Sequence, residues 1–342
     1  LAGTPPDDHD AQSDATLLKD PLDEHAMTLP EPGAAAALIA LDWGTSSLRA
    51  WLLDSEGRVL EQRQAPRGIM QVQDADFAAV LEAFTGDWRQ RYPDLRAVAA
   101  GMIGSAQGWV EARYLPCPAG PEELADALVS APGGALLIVP GVAQYGDAPN
   151  VMRGEETQIA GALGLRPLLR QASRLLLPGT HSKWVEIAGG RIARFETFMT
   201  GELFAVLRNH SILGRLAQAT SPVPEQAEAA FLRGVEAVRA HGRVAPLLFS
   251  ARALALTGGL PAELTLDYLS GLLIGDEIAS ALQSGAAPDA LIGDPALCRR
   301  YRLALTAFGV TACMEIDNAA IAGLWGIATQ AGIATGTRQD PQ

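Results

Sequence analysis

Cysteine is scarce in this chain: three residues in 342, Cys117, Cys298 and Cys313, an odd number at scattered spacings. They form no CxxC and no zinc-ligand pattern, which excludes a disulfide scaffold and a structural zinc site. A reduced, cytoplasmic protein is the resulting expectation, with each thiol a small buried apolar group. Positive charge is short as well, 26 Lys+Arg against 39 Asp+Glu for a net −13. A surface so poor in cations excludes a phosphate-backbone binder, so nucleic acid is not an expected partner. No apolar run survives as a membrane span, because the longest uncharged stretch, Ala127–Gly146, is broken by Pro132, Gly133, Gly134, Pro140 and Gly141. The N-terminus lacks the basic-then-apolar order of a signal peptide. The usual nucleotide loops are missing too: there is no GxxxxGK[ST], no GxGxxG after a strand and no protein-kinase signature set.

What is present is a globular chain long enough for two domains, 48% hydrophobic and 19% charged. Its acidity is uneven. Residues 1–34 hold eight acids against the single base Lys19, more than half of the net charge, and read as a disordered acidic tail. The ordered part opens with an apolar strand over Ala35–Asp42, a turn, a second strand over Leu48–Asp54 and a third over Arg58–Gln64. A helix over Phe77–Tyr92 follows, with Phe77, Val80, Leu81 and Phe84 on one face. Then come a strand (Arg96–Ala100), a helix (Glu122–Val129) and a strand (Ala135–Val139). The order is βββαβαβ.

The second half repeats it. Strands are predicted over Arg174–Leu177, Lys183–Ile187 and Arg191–Phe198, followed by helices over Gly201–His210, Glu225–His241 and Leu264–Leu282. A strand (Ala290–Ile292), a helix (Pro295–Ala307), a strand (Thr311–Ile316) and a helix (Asn318–Ala331) close the chain. Asp42-Trp43-Gly44-Thr45-Ser46-Ser47 and Pro178-Gly179-Thr180-His181-Ser182 occupy the same point in their halves, and each is followed by a strand and a turn ending Gly-Arg. A duplicated α/β unit with one Gly-Thr hairpin per half is therefore expected.

Such a turn exposes backbone N–H groups and hydroxyls, which suit phosphate oxygens. Asp42, just before the first, would bring a carboxylate able to hold Mg²⁺ directly or through water. Two facing hairpins would grip the β- and γ-phosphates of ATP from both sides.

With these features the chain resembles the acetate and sugar kinase/Hsp70/actin superfamily and, more narrowly, the 2-dehydro-3-deoxygalactonokinase family. The stretches that carry the resemblance are LDWGTSSLRAW (from Leu41), GMIGSAQGW (Gly101), MRGEETQIAGAL (Met152), LPGTHSKWV (Leu177), FMTGELFAVL (Phe198), LTGGL (Leu256) and LIGDPALCRRYRLAL (Leu291). Taken in order, the match they mark spans residues 38–329, nearly everything except the tail and the last dozen residues. The implied architecture is two RNase H-like, actin-like ATPase domains, 35–165 and 166–331, with a nucleotide and sugar cleft between them and a flexible end over 332–342. The implied reaction is ATP- and Mg²⁺-dependent phosphorylation of a 2-keto-3-deoxy sugar acid on its 6-hydroxyl. Other readings are a kinase of another sugar or amino sugar with this fold, or a sugar-sensing regulator or ATPase without transfer.

By the same resemblance, Gly44, Thr45, Ser46 and Ser47 form the first phosphate hairpin and Gly179, Thr180 and Ser182 the second. Asp42 is the carboxylate near Mg²⁺, and Arg49 would neutralise the transferring phosphoryl group. Thr257, Gly258, Gly259, Gly293 and Asp294 lie toward the adenine. Gly101, Met102, Gly104, Ser105 and Trp109 line the sugar, with Trp43 a second candidate wall. Arg153 and Lys183 are the cations for the substrate carboxylate. His181 is either a substrate contact or a phosphate hydrogen bond. Glu155 and Glu156 stand where relatives place an Asp that accepts the sugar hydroxyl's proton. Acids in a first helical turn also complement the helix dipole, and Glu155 is preferred as the base. Oligomeric state is left open between monomer and homodimer.

Overall fold

The computed structural model describes residues 35–216 and 223–334; the acidic tail expected at 1–34 and most of the expected flexible end lie outside them. The first half begins with an antiparallel meander of β1 (Ala36–Trp43), β2 (Leu48–Asp54) and β3 (Val59–Ala65). Helix α1 (Phe77–Arg91) returns the chain to β4 (Ala97–Ala100), parallel to β1. There follow β5 (Leu115–Pro116), α2 (Pro121–Asp126), β6 (Val129–Ser130), β7 (Leu137–Ile138), β8 (Val142–Gln144), β9 (Asn150–Met152) and α3 (Glu155–Leu165). The second half contains β10 (Ala172–Leu177), β11 (Ser182–Ala188), β12 (Arg191–Phe198), α4 (Thr200–His210), α5 (Pro224–His241), α6 (Ser250–Leu256) and α7 (Thr265–Ser284). It ends with β13 (Ala290–Ile292), α8 (Pro295–Ala307), β14 (Met314–Ile316) and α9 (Ala319–Gln330).

The repeat seen in the sequence is a repeat of topology. The first sheet runs β3-β2-β1-β4-β7, extended by β6, and the second runs β12-β11-β10-β13-β14. Each is a meander whose first strand is joined by two parallel strands.

Alternation along the strands sorts the side chains into layers. Ile39, Leu41, Ala50 and Leu52 face α1, where Phe77, Leu81, Phe84 and Trp88 recur at helical spacing. Asp76 caps that helix by accepting the Ala79 N–H at 2.9 Å. Leu38, Ala40, Leu53 and Val98 face the other way, into one core with Ile159 and Leu163 of α3, Leu324 and Ile327 of α9, and Leu175, Leu177, Val185 and Ile292 of the second sheet. The far face of the second sheet packs Leu176, Trp184 and Leu291 on α5, α7 and α8. The layers thus run α1, sheet, α3 with α9, sheet, and α5 with α7 and α8.

The middle helices cross in close contact. A Cβ on Gly161 would stand 1.9 Å from the Ala319 carbonyl oxygen, and one on Gly323 1.9 Å from that of Thr157. Although α9 closes the chain, it packs on β1 and β4 of the first sheet.

Several details depart from the sequence reading, among them helix α6 (Ser250–Leu256), which lies between two expected helices and was not itself expected. The helix expected over Glu122–Val129 stops at Asp126, because Val129 and Ser130 pair with Ile138 and Leu137 as a strand. The strand expected over Thr311–Ile316 is confined to Met314–Ile316, since its three-residue neighbour β13 offers no longer ladder. A small sheet, β5-β8-β9, was not anticipated, its strands being too short to show a period. The three thiols are free; burial pushes that of Cys117 up to about 11 and those of Cys298 and Cys313 to about 12. No helix among the described residues is long and apolar enough to cross a membrane.

Candidate active site

Three chain segments meet where the parallel strands β1 and β4 end. Asp42 is the penultimate residue of β1 and pairs in register with Ala100, the last residue of β4. Gly101 follows at φ +97°, and a Cβ there would lie 2.8 Å from the Trp43 carbonyl oxygen and 3.3 Å from Asp42 Oδ1. Gly154, at φ +108°, precedes α3 and places its own missing Cβ 3.4 Å from Gly101 Cα. Both positions need a residue free to adopt positive φ without a side chain in the way. They bring Glu155, the first residue of α3, up to Asp42.

Asp42 carries an unfavourable charge. Burial raises its pKa, Arg49 at 4.0 Å lowers it, and the nearby Glu155 carboxylate raises it again. Arg49 is directly across the β1–β2 ladder from Asp42 and is the one exposed residue of β2.

The paired acids of α3 differ sharply. Glu155 accepts the Arg153 N–H on Oε2 at 3.0 Å and meets Lys183 Nζ on Oε1 at 3.2 Å. Its side chain keeps 25% exposure. Glu156 is fully buried, accepting the Gly154 N–H at 2.7 Å and the Thr157 hydroxyl at 3.0 Å. Burial, helped by Glu155, pushes its pKa up to about 7. Lys183 starts from the second half, on β11 just past the second hairpin, and also donates to the His181 carbonyl oxygen at 3.0 Å. Its ion pair with Glu155 therefore ties the two halves of the chain together.

The first hairpin is closed by the Gly44 N–H donating to the Ser47 carbonyl oxygen at 2.9 Å, with Thr45 and Ser46 exposed at its tip. Its underside rests on Gly68, where a Cβ would stand 2.3 Å from Ser46 N and from the Thr45 carbonyl. The second hairpin is backed in the same manner by Gly201 of α4, whose missing Cβ lies 2.5 Å from the Gly179 carbonyl oxygen and 2.7 Å from Thr180 Cα. Neither supporting glycine was anticipated; a glycine shortly after each meander is the only trace they leave in the sequence. Thr180 and His181 are exposed, and His181 Nε2 contacts the Glu202 carboxylate in the first turn of α4. The Ser182 hydroxyl instead turns inward to Tyr301 Oη at 2.9 Å.

Other named residues sit further out. The Arg153 guanidinium lies over the Tyr114 ring at 4.3 Å and donates to the Ala112 carbonyl oxygen at 2.7 Å, beside Gly104. Its buried Nε and Nη1 have no hydrogen-bond partner. It thus holds the loop that begins at Gly101, in which Met102 and Ser105 are half-buried and Ser105 Oγ accepts the Gln107 N–H at 3.3 Å. Trp109 stacks on Phe77 with centroids 6.4 Å apart. Trp43, the second candidate wall, is wholly buried against the edge of Phe77 and donates its indole N–H to Arg67. It belongs to the core, because its side chain points to the α1 face of β1. Gly293 touches Pro178 at the root of the second hairpin, and Asp294 caps α8 by accepting the Leu297 N–H at 3.0 Å. Thr257, Gly258 and Gly259 form the exposed end of α6, where Arg233 donates to the Gly259 carbonyl oxygen.

Residues 42–327 match the profile of a family described as 2-keto-3-deoxy-galactonokinase. The chain is 40% identical over 301 residues to the 2-dehydro-3-deoxygalactonokinase of Escherichia coli K12, covering 87% of this chain and 96% of that protein. A crystal structure from Sinorhizobium meliloti, assigned to the same kinase, superposes with a TM-score of 0.78 at 37% identity, covering 85% of this chain and 98% of that one. Component A of the (R)-2-hydroxyglutaryl-CoA dehydratase of Acidaminococcus fermentans superposes at 0.50 with 12% identity, over 87% and 100%. That likeness concerns the fold alone, which is the actin-like ATPase and sugar kinase fold.

Proposed function

This chain belongs to the 2-keto-3-deoxy-galactonokinase family and is a kinase, and from that premise we infer that it transfers the γ-phosphoryl group of ATP to the 6-hydroxyl of 2-dehydro-3-deoxy-D-galactonate. The observation that carries the reading is the cluster of Asp42, Glu155 and Lys183 at the ends of β1 and β4, flanked by two hydroxyl-bearing hairpins.

The geometry supports the following roles. Phosphoryl transfer is largely dissociative, so positioning and charge neutralisation matter more than a strong base. The hairpins at Gly44–Ser47 and Gly179–Thr180 offer N–H groups and hydroxyls to the phosphates, and Arg49 adds positive charge beside Asp42. Glu155 is the acid with access to the cleft, so it receives the proton of the 6-hydroxyl, while buried Glu156 has no route to substrate. Lys183 fixes one Glu155 oxygen and the Arg153 N–H the other, which orients the carboxylate. Gly101, Met102, Gly104 and Ser105 line the sugar, the Arg153 side chain holds that loop in place, and Lys183 and His181 reach toward the substrate from the opposite side.

Magnesium fits this site. Among the described residues no group of three or more acids, histidines or cysteines is gathered to cage a metal. Asp42 is a recessed carboxylate whose charge Arg49 only partly offsets. That suits an ion which keeps much of its water and is shared between one carboxylate and substrate phosphates. Asp42 would hold it, directly or through water, and when bound it would supply charge neutralisation on the phosphates.

The test is ADP release measured with ATP, Mg²⁺ and a panel of 2-keto-3-deoxy sugar acids that includes both the galacto- and glucono- epimers. Turnover of the galacto- acid with formation of its 6-phosphate is expected. ADP release that needs no sugar acid, or turnover confined to neutral or amino sugars, would overturn the reading.

A further inference from the structure

Directly behind the second hairpin lies a buried carboxylate that the proposed reaction does not use. Glu277 of α7 is 2% exposed and lies against an apolar core that includes Leu176, Phe231, Ile274, Ile278, Leu291 and Leu305. An unpaired charge there is expensive, and apolar residues of the same volume would usually fill such a site at lower cost. Glu277 is instead the end point of a hydrogen-bond chain. Tyr301 Oη of α8 donates its one proton to Glu277 Oε2 at 2.6 Å, and Trp184 Nε1 of β11 donates to Oε1 at 2.9 Å. With the tyrosine proton committed, the Ser182 hydroxyl must be the donor in its 2.9 Å contact with Tyr301. Ser182 Oγ in turn accepts the Gly179 N–H at 3.4 Å. Every donor from the hairpin backbone inward therefore points toward Glu277. The hydroxyls of Thr200, the first residue of α4 and the neighbour of Gly201, and of Ser182 itself also lie close enough to the same carboxylate to favour its charged form.

We propose that Glu277 is a positioning residue for nucleotide binding, which through Tyr301 and Ser182 fixes the backbone of Gly179 and so the shape of the second phosphate hairpin. The proposal rests on the reading of that hairpin as a phosphate grip. It also gives Ser182 a different part from that of a phosphate ligand: its hydroxyl is spent inward, and the hairpin presents Thr180 and backbone N–H groups outward. A polarised chain of this kind gains from having each link in place. It joins α4, α7, α8 and β11 at a single point, so that loosening any one link frees the hairpin without removing a group that touches the substrate.

Tyr301→Phe deletes one oxygen from the chain and keeps the ring in the core. Ser182→Ala removes the next link, and in Glu277→Gln the single amide oxygen must serve Trp184, which can only donate, so the amide NH₂ faces Tyr301 and reverses the chain. Calorimetric ADP affinity is measured for each, together with KM for ATP, KM for the sugar acid, kcat and thermal midpoint. Tyr301→Phe and Ser182→Ala should weaken ADP binding and raise KM for ATP about tenfold, the scale of one to two lost hydrogen bonds. KM for the sugar acid should stay within about twofold on the same footing. Glu277→Gln should fall between them and the wild type. Leu305→Ala thins the same core without touching the chain and should lower the midpoint while leaving ADP affinity unchanged. Should Tyr301→Phe lower the midpoint but bind ADP like the wild type, Glu277 is a structural group and the proposal fails. Gly201→Val separates the two layers of inference by driving a side chain into Gly179 and Thr180. If it abolishes ADP binding while Tyr301→Phe does not affect it, the hairpin reading stands and the relay falls. If it too leaves ADP binding intact, the hairpin reading is lost and the relay with it.

Discussion

Replacing Glu156 with glutamine should make the protein more stable at alkaline pH and leave it nearly unchanged at acid pH. The carboxyl is wholly buried, and its pKa rises from an ordinary 4.5 to about 7 in the folded chain. The folded state thus holds the proton more tightly than the unfolded state, so the group's contribution is fully present below pH 4.5. It is lost as pH climbs through the window from 4.5 to about 7. Across that window the penalty for ionising Glu156 grows to roughly 3 kcal/mol. Glutamine escapes it. Its amide oxygen can accept the Gly154 N–H, and its NH₂ can donate to the Thr157 hydroxyl, which turns to accept. For a chain of this size that difference corresponds to roughly 3–6 °C in thermal midpoint. Midpoints of wild type and Glu156→Gln would be compared from pH 4.5 to 8.5. The gap should open in favour of the variant above neutral pH and close at the acid end. A pH-independent gap, or a variant less stable than wild type at pH 8, would refute the reasoning. The same samples assign the catalytic carboxylate, since kcat should stay within a few-fold of wild type.

Glu155→Gln, one residue earlier, should reduce kcat by roughly 10²–10⁴-fold, measured by coupled ADP release, and should also lower the midpoint, because it leaves the buried Lys183 ammonium without its carboxylate. Retention of wild-type rate would remove it as the base. Asp42→Asn should cost at least about 10²-fold in transfer and leave the midpoint equal or higher, because it deletes a charge whose burial is unfavourable. Gly68→Ala is a steric probe, since φ −67° suits any residue while the added Cβ meets Thr45 and Ser46 at 2.3 Å. KM for ATP should rise with KM for the sugar acid unchanged. Gly323→Ala forces apart α3 and α9 and should lower stability by about 1–3 kcal/mol in denaturant titration.

The meanders were readable because β1, β2 and β10 are largely apolar runs, and because the glycine turns after β2 and β11, Ser55-Glu56-Gly57 and Ala188-Gly189-Gly190, mark where the more polar β3 and β12 begin. Helix α8 was readable to the residue, since Asp294 and Pro295 are strong start signals and Cys298, Tyr301 and Leu305 keep helical spacing. Helix α2 was drawn too long because Ala127 and Leu128 favour a helix locally, and only pairing with β7 turns Val129 into a strand. The layer formed by α3 and α9 was invisible, as nothing local in α9 says that it returns to the first sheet. At the site, the Gly-Thr turns stood out by their equivalent places in the two halves, and the acids of α3 by the family resemblance. Which acid is accessible did not, because Glu155 and Glu156 are neighbours that differ only in what packs over them. The supports could not be read either. Gly68, Gly201, Glu277 and Tyr301 matter through contacts between segments distant in the chain, which leave no periodic mark.

The return of α9 to β1 and β4 has a consequence for how the molecule is made. Leu38, Ala40 and Val98 leave the ribosome early, yet Leu324 and Ile327, which share their core, are among the last described residues to emerge. The part of that face over β1 and β4 on which α9 packs therefore stays open until α9 has been made, although α3 joins the same core earlier. Domains ordinarily fold as they are produced, but here the earliest strands are finished by the latest helix. A stop codon just before Ala319 would leave the apolar surface of β1, β4 and α3 that α9 covers open to aggregation.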